Sequence, residues 1–436
     1  MRLRLKNRCA ILAGLAALLG APRAFSYSVL THEAIVDSAW DRSIKPVLLK
    51  RFPDSTAEQL LEAHSYAYGG SIIQDMGYFP FGSKLFTDLA HYVRSGDFVL
   101  NLIQEARDLN EYAFSLGALA HYAADNDGHR MATNVAVPLL YPKLRLRFGD
   151  RVTYADDALS HIKTELAFDV LQVAQGHYAP ESYHGFIGFQ VARPVLERAF
   201  EDTYGMKLSE VFDSVSLAIG SYRHAVSSTI PAMTRVAWQM KKSEIVKDAP
   251  GAVRKKFLYN LSRASYRKEW GREYQQPGIG SRILAFVLRL LPVGHARALR
   301  FETPTPAVEK LFMASFNATL YHYRELLSEL QAGQLKLPNE NFDVGAITGA
   351  GSYRLGDRAY AQLLDKLAGR YADTPPELRR DILAFYGDLS APISTKNDSR
   401  EWTKVMQELD DLKAVEAGAA SAQGNIGFWS LGSLLQ

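Results

Sequence analysis

The sequence predicts an all-α protein built as a multi-helix bundle, and three observations predict it. Apolar residues recur at three- and four-residue steps over long stretches of the chain. The alternating patterns that would mark strands are scarce. Histidines and carboxylates also fall one helical turn apart within these same stretches. With 436 residues, 47% hydrophobic and 22% charged, the chain is long and apolar enough to bury a sizeable core.

The first 26 residues read as a signal peptide. Arg2, Arg4, Lys6 and Arg8 form a positive end, Cys9 to Gly20 is an apolar run, and Ala24-Phe25-Ser26 offers small residues at a cleavage site. The run is too short to span a bilayer. This reading makes the protein exported, periplasmic or secreted, with Tyr27 as its new first residue. The formal net charge is +3, and the leader supplies five basic residues and no acidic ones. The remainder is therefore slightly acidic, which excludes a global electrostatic case for a nucleic-acid partner. Cys9 is the only cysteine. Disulfides and thiolate metal sites are excluded, so any transition metal must be held by His, Asp, Glu or backbone groups.

Residues 27–240 read as one helical domain, with helices predicted over Glu33 to Leu49, Leu102 to Asp125, Asp156 to Val173, Val191 to Phe200 and Leu208 to Met240. Residues 241–300 form a basic segment, with 14 Lys and Arg against four acidic residues. Within it, Ile279 to Pro292 has the pattern of an interfacial helix, with Arg282 and Arg289 on one face and apolar residues around them. This is a candidate peripheral contact with a membrane surface; its plain alternative is a solvated basic face. Residues 301–436 form a C-terminal helical region, with helices over Val308 to Leu330, Asp357 to Tyr371, Pro376 to Tyr386 and Arg400 to Ala414. Gly345 to Gly356 reads as a connector, and the last twenty residues as loose.

Six of the 11 histidines lie between positions 32 and 161. His121 and Asp125 sit at i and i+4, as do His161 and Glu165, so each pair shares a helix face. One such pair is an ordinary helix-surface ion pair. Two pairs on separate helices can face each other across a bundle core, which is how bundles build metal centres. His129 follows Asp125 by four residues, and Asn126-Asp127-Gly128 is turn chemistry, so the helix is expected to end there with His129 folding back from a loop. His91 lies on an apolar-flanked helix. Asp75 follows an Ile-Ile pair just before Gly77, where a buried carboxylate needs a partner or a metal. His32 lies close to the expected N-terminus. The α-amine of Tyr27, with a pKa of about 7.7–8.0, would lose its proton readily to a metal, and its carbonyl could close a chelate ring. His177 and His184 could line the mouth of the cleft.

Tyr27 to His32, Asp75, His91, His121 with Asp125, His129, and His161 with Glu165, taken in this order, resemble the zinc-dependent bacterial phospholipase C family, whose fold the fungal single-strand-specific zinc nucleases share. The resemblance implies an all-α domain holding two or three Zn2+ ions. By position, one ion would take Asp75, His91, His121 and Asp125, and a second His129, His161 and Glu165. A third would take Tyr27, His32 and a shared Asp125. Tyr27 stands where the family has Trp. Three residues separate Asp125 from His129 where the family usually has five, and Asp127 is an alternative ligand there.

Asp75, Asp125 and Glu165 carry three negative charges, so two or three divalent ions leave a positive surplus suited to a phosphodiester. A hydroxide between two ions would attack phosphorus, and the resemblance implies, by position in the family, that Asp75 is the catalytic residue that orients or deprotonates that water; a purely ligating Asp75 is the alternative. The expected function is phospholipase C-type cleavage of a phospholipid or another phosphodiester. A nuclease or nucleotidase on the same centre is one alternative. A non-catalytic exported surface protein stabilised by metal is another. His-Asp phosphohydrolase and zinc-protease motifs are absent, because the chain has no His-Asp dipeptide and His32-Glu33 lacks the second histidine.

Overall fold

The computed structural model describes residues 29–175, 189–226 and 301–431, with side chains described to 172 in the first stretch and to 418 in the last. The leader, Tyr27, His177, His184 and the whole of 241–300, including the 279–292 pattern, lie outside the described residues. The rest is predominantly helical with almost no sheet, as an all-α reading requires. The only strands among the described residues are β1 (Glu340–Asn341) and β2 (Ala346–Ile347), a two-residue antiparallel pair in which Glu340 faces Ile347.

The chain opens with α1 (Val29–Ala39), which passes through a π-helical stretch into α2 (Lys45–Arg51). Then come α3 (Ala57–Gly70), a 3-10 helix (Ile73–Tyr78), α4 (Lys84–Tyr92), α5 (Ser95–Glu105) and the central α6 (Leu109–Gly128). A π-helical turn (His129–Thr133) joins α6 to α7 (Asn134–Leu140), followed by α8 (Pro142–Phe148), α9 (Ala158–Gln175), α10 (Arg193–Tyr204), α11 (Leu208–Val211) and α12 (Val215–His224). After residue 301 come α13 (Pro306–Gln331), the strand pair, α14 (Arg354–Leu367), α15 (Pro376–Phe385) and α16 (Ser399–Leu431).

Sequence periodicity places the helices but misses two breaks and two extensions. The stretch expected to be helical from Leu102 to Asp125 is two helices. Asp108 caps α6 by accepting a hydrogen bond from Glu111 N at 2.8 Å, which fixes the start of the helix and ends the run from α5. The stretch from Leu208 breaks in the same way, since Ser214 accepts from Leu217 N at 3.3 Å and starts α12 afresh. The expected helix end at Asn126-Asp127-Gly128 is overturned. Gly128 keeps a right-handed helical conformation at φ −62, and Asp127 spends its carboxylate on Arg130 (2.9 Å) and on His322 of α13 (3.0 Å) instead of on a local turn. The last twenty residues are not loose throughout, because α16 continues to Leu431.

α6 is the axis of the molecule, and all but two of its residues are buried. α3 crosses it with backbones nearly touching. A Cβ added to Gly70 would lie 1.9 Å from Phe114 O, and one added to Gly117 would lie 2.0 Å from Ala67 O. No side chain fits at either position, so glycine is required for the approach. The crossing brings the end of α3 and the following 3-10 helix against α6, where Gln74 Nε2 donates to Ala118 O at 3.0 Å. α13 covers another face of α6: Tyr323 OH donates to Leu116 O at 2.8 Å, and Phe312 stacks on Phe168 of α9 at 4.6 Å. The segment around β1 is tied to the same helices. Tyr122 OH donates to Pro338 O at 3.0 Å, and Phe342 N donates to His91 O at 3.2 Å.

Gly117→Ala should destabilise the protein by about 3 kcal/mol, the upper end of ordinary overpacking, because the clash is with backbone and no rotamer relieves it. Chemical denaturation of the variant against the parent measures this, and an unchanged midpoint would contradict the crossing.

Candidate metal centre

Asp125 stands at the middle of the buried polar core, on α6 and wholly shielded from solvent. Its two oxygens face different partners. Oδ2 lies 3.1 Å from His121 Nε2 and 3.4 Å from His91 Nε2, while Oδ1 lies 3.4 Å from His32 Nε2. His121 is one turn earlier on α6, His91 is in the last turn of α4, and His32 is in the first turn of α1. Asp75, on the 3-10 helix after the α3 crossing, places Oδ1 3.3 Å from His91 Nε2. Asp169 of α9 holds the start of α1 in place by accepting from Leu30 N at 3.0 Å and from Thr31 Oγ1 at 2.6 Å. The His32 and His121 rings stack at 4.5 Å.

A second group forms where the π-helical turn meets α9. Glu165 Oε1 lies 3.2 Å from His129 Nε2 and 3.2 Å from His161 Nδ1. His161 and Glu165 share a face of α9 at i and i+4, as the spacing predicts. His129 reaches them from the helical continuation of α6, not from a loop, because the wider π-helical turn lets the chain carry on past Gly128 while aiming this imidazole at α9. Asp127 points the other way, toward α13, and takes no part.

Three sets of side chains are thus close enough to hold ions: His32, His121 and Asp125; Asp75, His91 and His121; and His129, His161 and Glu165, all buried, with the ligand atoms of each set within 4.8 Å of one another. Their chemistry fits zinc. Ligands about 2.0–2.2 Å from a tetrahedral ion lie about 3.3–3.6 Å apart, and the separations here are close to that. The contacts are also not hydrogen bonds: Asp75 Oδ1, His91 Nε2, His121 Nε2, His161 Nδ1 and both Glu165 oxygens are buried with no hydrogen-bond partner. Burying that many unsatisfied polar atoms is costly unless something charged completes them. The far ring nitrogens of His91, His121, His129 and His161, by contrast, are occupied. His91 Nδ1 bonds to Thr87 O (2.8 Å), His121 Nδ1 to Ser71 O (2.9 Å), His129 Nδ1 to Phe342 O (3.1 Å) and His161 Nε2 to Asn134 Oδ1 (3.1 Å). Donating one ring N–H outward fixes the tautomer that leaves the other nitrogen free to ligate.

The electrostatics agree. Burial alone would lower His91, but the adjacent Asp125 and Asp75 carboxylates outweigh it and raise the imidazole to about 10. Burial alone would raise Asp125, yet His121 and His129 hold it well below the usual carboxylate range. Burial raises Asp75. The carboxylates therefore demand positive charge, which protons supply when no ion is present.

Every proposed ligand from His32 to Glu165 is among the described residues, and the structure brings them all into one region; Tyr27 is not among them. Sequence reasoning missed the surroundings contributed from beyond residue 301. Phe342 packs its ring against His91 at 5.3 Å. Asp343 Oδ1 lies 3.3 Å from His129 Nδ1. Burial alone would raise the Asp343 carboxyl, but His129, His161 and the Tyr353 hydroxyl hold it down to about 2. The only sequence signal is an acid enclosed by apolar residues in Asn341-Phe342-Asp343-Val344, ahead of the glycine at 345.

Buried His and carboxylate donors converging from the helices of an all-α fold define a candidate metal centre of a helical protein. The zinc dependent phospholipase C family is the particular match, over residues 31–214. The match spans less than half of the chain and contains all the gathered donors, while Asp343 lies beyond it. No curated protein and no solved structure matches the chain.

Asp125→Asn should strip the metal from the set that contains this residue and weaken the adjoining set, which it meets at His91, and elemental analysis of the purified variant measures the loss; a parental metal content would refute that role. Zinc uptake should also release protons. His91, raised from an unfolded value of about 6.5, carries a proton at neutral pH in the metal-free protein. That proton supports the metal-free fold fully below the unfolded value and loses its effect as the pH rises toward 10. Zinc affinity should therefore increase from about pH 6 to 9, and calorimetry in buffers of different ionisation enthalpy should count the protons released.

Proposed function

We propose that the protein is a zinc-dependent phosphodiester hydrolase that cleaves a phospholipid in the manner of a phospholipase C. The observation that carries this reading is the joining of donor sets through Asp125 and His121, which lets neighbouring ions share ligands. The family match over the same residues supports zinc as the metal. His32, Asp75, His91, His121, Asp125, His129, His161 and Glu165 would hold the ions, with Tyr27 as a further ligand if the leader is removed at Ser26. Zinc, when bound, supplies Lewis-acid charge for the phosphoryl oxygens and an ionised water at neutral pH.

The chain's own groups do the rest. Asp75, buried and 3.3 Å from His91, is the group to which this reading gives the orienting of the attacking water and the acceptance of its proton. Attack on phosphorus breaks the bond to the glycerol oxygen, which takes up the proton given to Asp75 or one from solvent, so that the products are a diacylglycerol and a phosphorylated headgroup. A small apolar cluster at the border of the main core supports a substrate with an apolar part. Tyr78 and Ile162 are packed there with Tyr154 and Leu166. Tyr78 lies 6.3 Å from His91 and Tyr154 lies 5.8 Å from His161, so the cluster borders both donor groups. Among the described residues no helix is long and apolar enough to cross a membrane. Access to lipid then falls to peripheral contact, for which residues 279–292 carry the sequence pattern.

Zinc-loaded protein should release a phosphorylated headgroup from phosphatidylcholine vesicles and leave single-stranded DNA intact, followed by phosphate release and by gel. Cleavage of DNA without lipid turnover would move the assignment to the nuclease reading. Inactivity on both, with zinc bound, would favour the metal-stabilised surface protein.

A further inference from the structure

We infer that Asp343, from the region beyond residue 301, is a positioning residue for the His129, His161 and Glu165 set, and that the Phe342-Asp343 segment completes this part of the centre. The inference rests on the reading of those three side chains as metal ligands.

The segment reaches both histidines of the set. The Nδ1–H of His129 lies between the Phe342 carbonyl at 3.1 Å and the Asp343 carboxylate at 3.3 Å. That contact fixes the proton on Nδ1 and leaves Nε2 facing Glu165 at 3.2 Å. His161 is held from the same segment through Asn134. Asn134 Nδ2 donates to the backbone carbonyl of Asp343 at 2.6 Å, and its Oδ1 accepts from His161 Nε2 at 3.1 Å. With the amide oriented in this way, the proton on His161 belongs to Nε2 and Nδ1 is left toward Glu165.

Asp343 is itself held rigidly. Its Oδ2 accepts from Tyr92 OH at 2.8 Å and also from Tyr353 OH, and its backbone N–H donates to Asn341 Oδ1 at 2.9 Å. Tyr353 OH in turn accepts from Ala155 N at 3.0 Å, just before α9, the helix that carries His161 and Glu165. Two phenols, two histidines and the start of α9 therefore all depend on one carboxylate and its backbone. A carboxylate against the outer N–H of a ligating imidazole, here at 3.3 Å, raises the ring's basicity and helps fix its orientation, and loss of such partners lowers metal affinity.

The test is equilibrium zinc binding to the metal-free full chain in zinc-buffered solutions, comparing the parent, Asp343→Asn and Tyr353→Phe. Asp343→Asn should weaken one class of zinc by about 10- to 100-fold and leave the class that uses Asp125 unchanged. Tyr353→Phe should shift the same class by less. Cobalt(II) substitution should show altered visible absorption in that class alone. Unfolding of the metal-free proteins provides the control, since a merely structural role would lower the midpoint without separating the two classes. If Asp343→Asn does not fold, Tyr353→Phe alone decides: a parental isotherm overturns the proposal. Zinc binding by Asp343→Asn identical to the parent overturns the positioning role while leaving the ligand assignment intact. A parent that binds no zinc overturns both.

Discussion

Three carboxylates are buried in the middle of a helical protein, and the rest of the structure answers to that fact. Asp75, Asp125 and Glu165 are each almost completely shielded, and each faces imidazole nitrogens at 3.1–3.4 Å. An isolated carboxylate in such a place costs several kcal/mol even after relaxation. Positive charge must therefore be present, as protons or as metal. The raised imidazole of His91 shows the proton solution, and the separations between donor atoms suit the metal one. The two compete for the same nitrogen, which couples metal occupancy to pH.

Holding charged groups in this register demands a rigid frame, and the frame is backbone. The outer nitrogens of His91, His121 and His129 are met by main-chain carbonyls, of Thr87, Ser71 and Phe342. A carbonyl at a fixed place in a helix moves less than a long side chain would. The close crossing of α3 on α6 acquires its purpose here. Glycines at 70 and 117 let the helices approach until Ser71, which caps α3, sits against His121, and the same crossing delivers Asp75 a few residues later. Packing and chemistry are set by one contact.

Much of this was legible in the sequence. The all-α class followed from periodicity, and the paired residues His121 with Asp125 and His161 with Glu165 share helix faces because four residues make about one turn. What misled was local chemistry with a distant partner. Asn126-Asp127-Gly128 reads as a turn only if Asp127 bonds nearby, and its bond to His322 crosses almost two hundred positions of sequence. The breaks before Leu109 and Val215 came from single capping residues, Asp108 and Ser214, that apolar periodicity does not register. Asp343 was invisible for a related reason. An acid between Phe342 and Val344 has no periodic signature, and its meaning arises only when α4, the π-helical turn and α9 are assembled around it.

The position of Asp343 bears on what counts as the functional unit. The family match ends at residue 214, and a reading confined to it would contain every gathered donor. It would lack the carbonyl and carboxylate that orient His129, the backbone partner of Asn134, and the aromatic ring packed on His91. It would also lack α13, whose Tyr323 and His322 hold α6 from outside. Ligands define which ion can bind, but the groups behind them determine how firmly it is held and in which geometry. In this chain the groups behind His91 and His121 come from before position 301, while those behind His129, and the partner that holds Asn134 against His161, come from after it, so the region after 301 belongs to the candidate centre as well as to the scaffold.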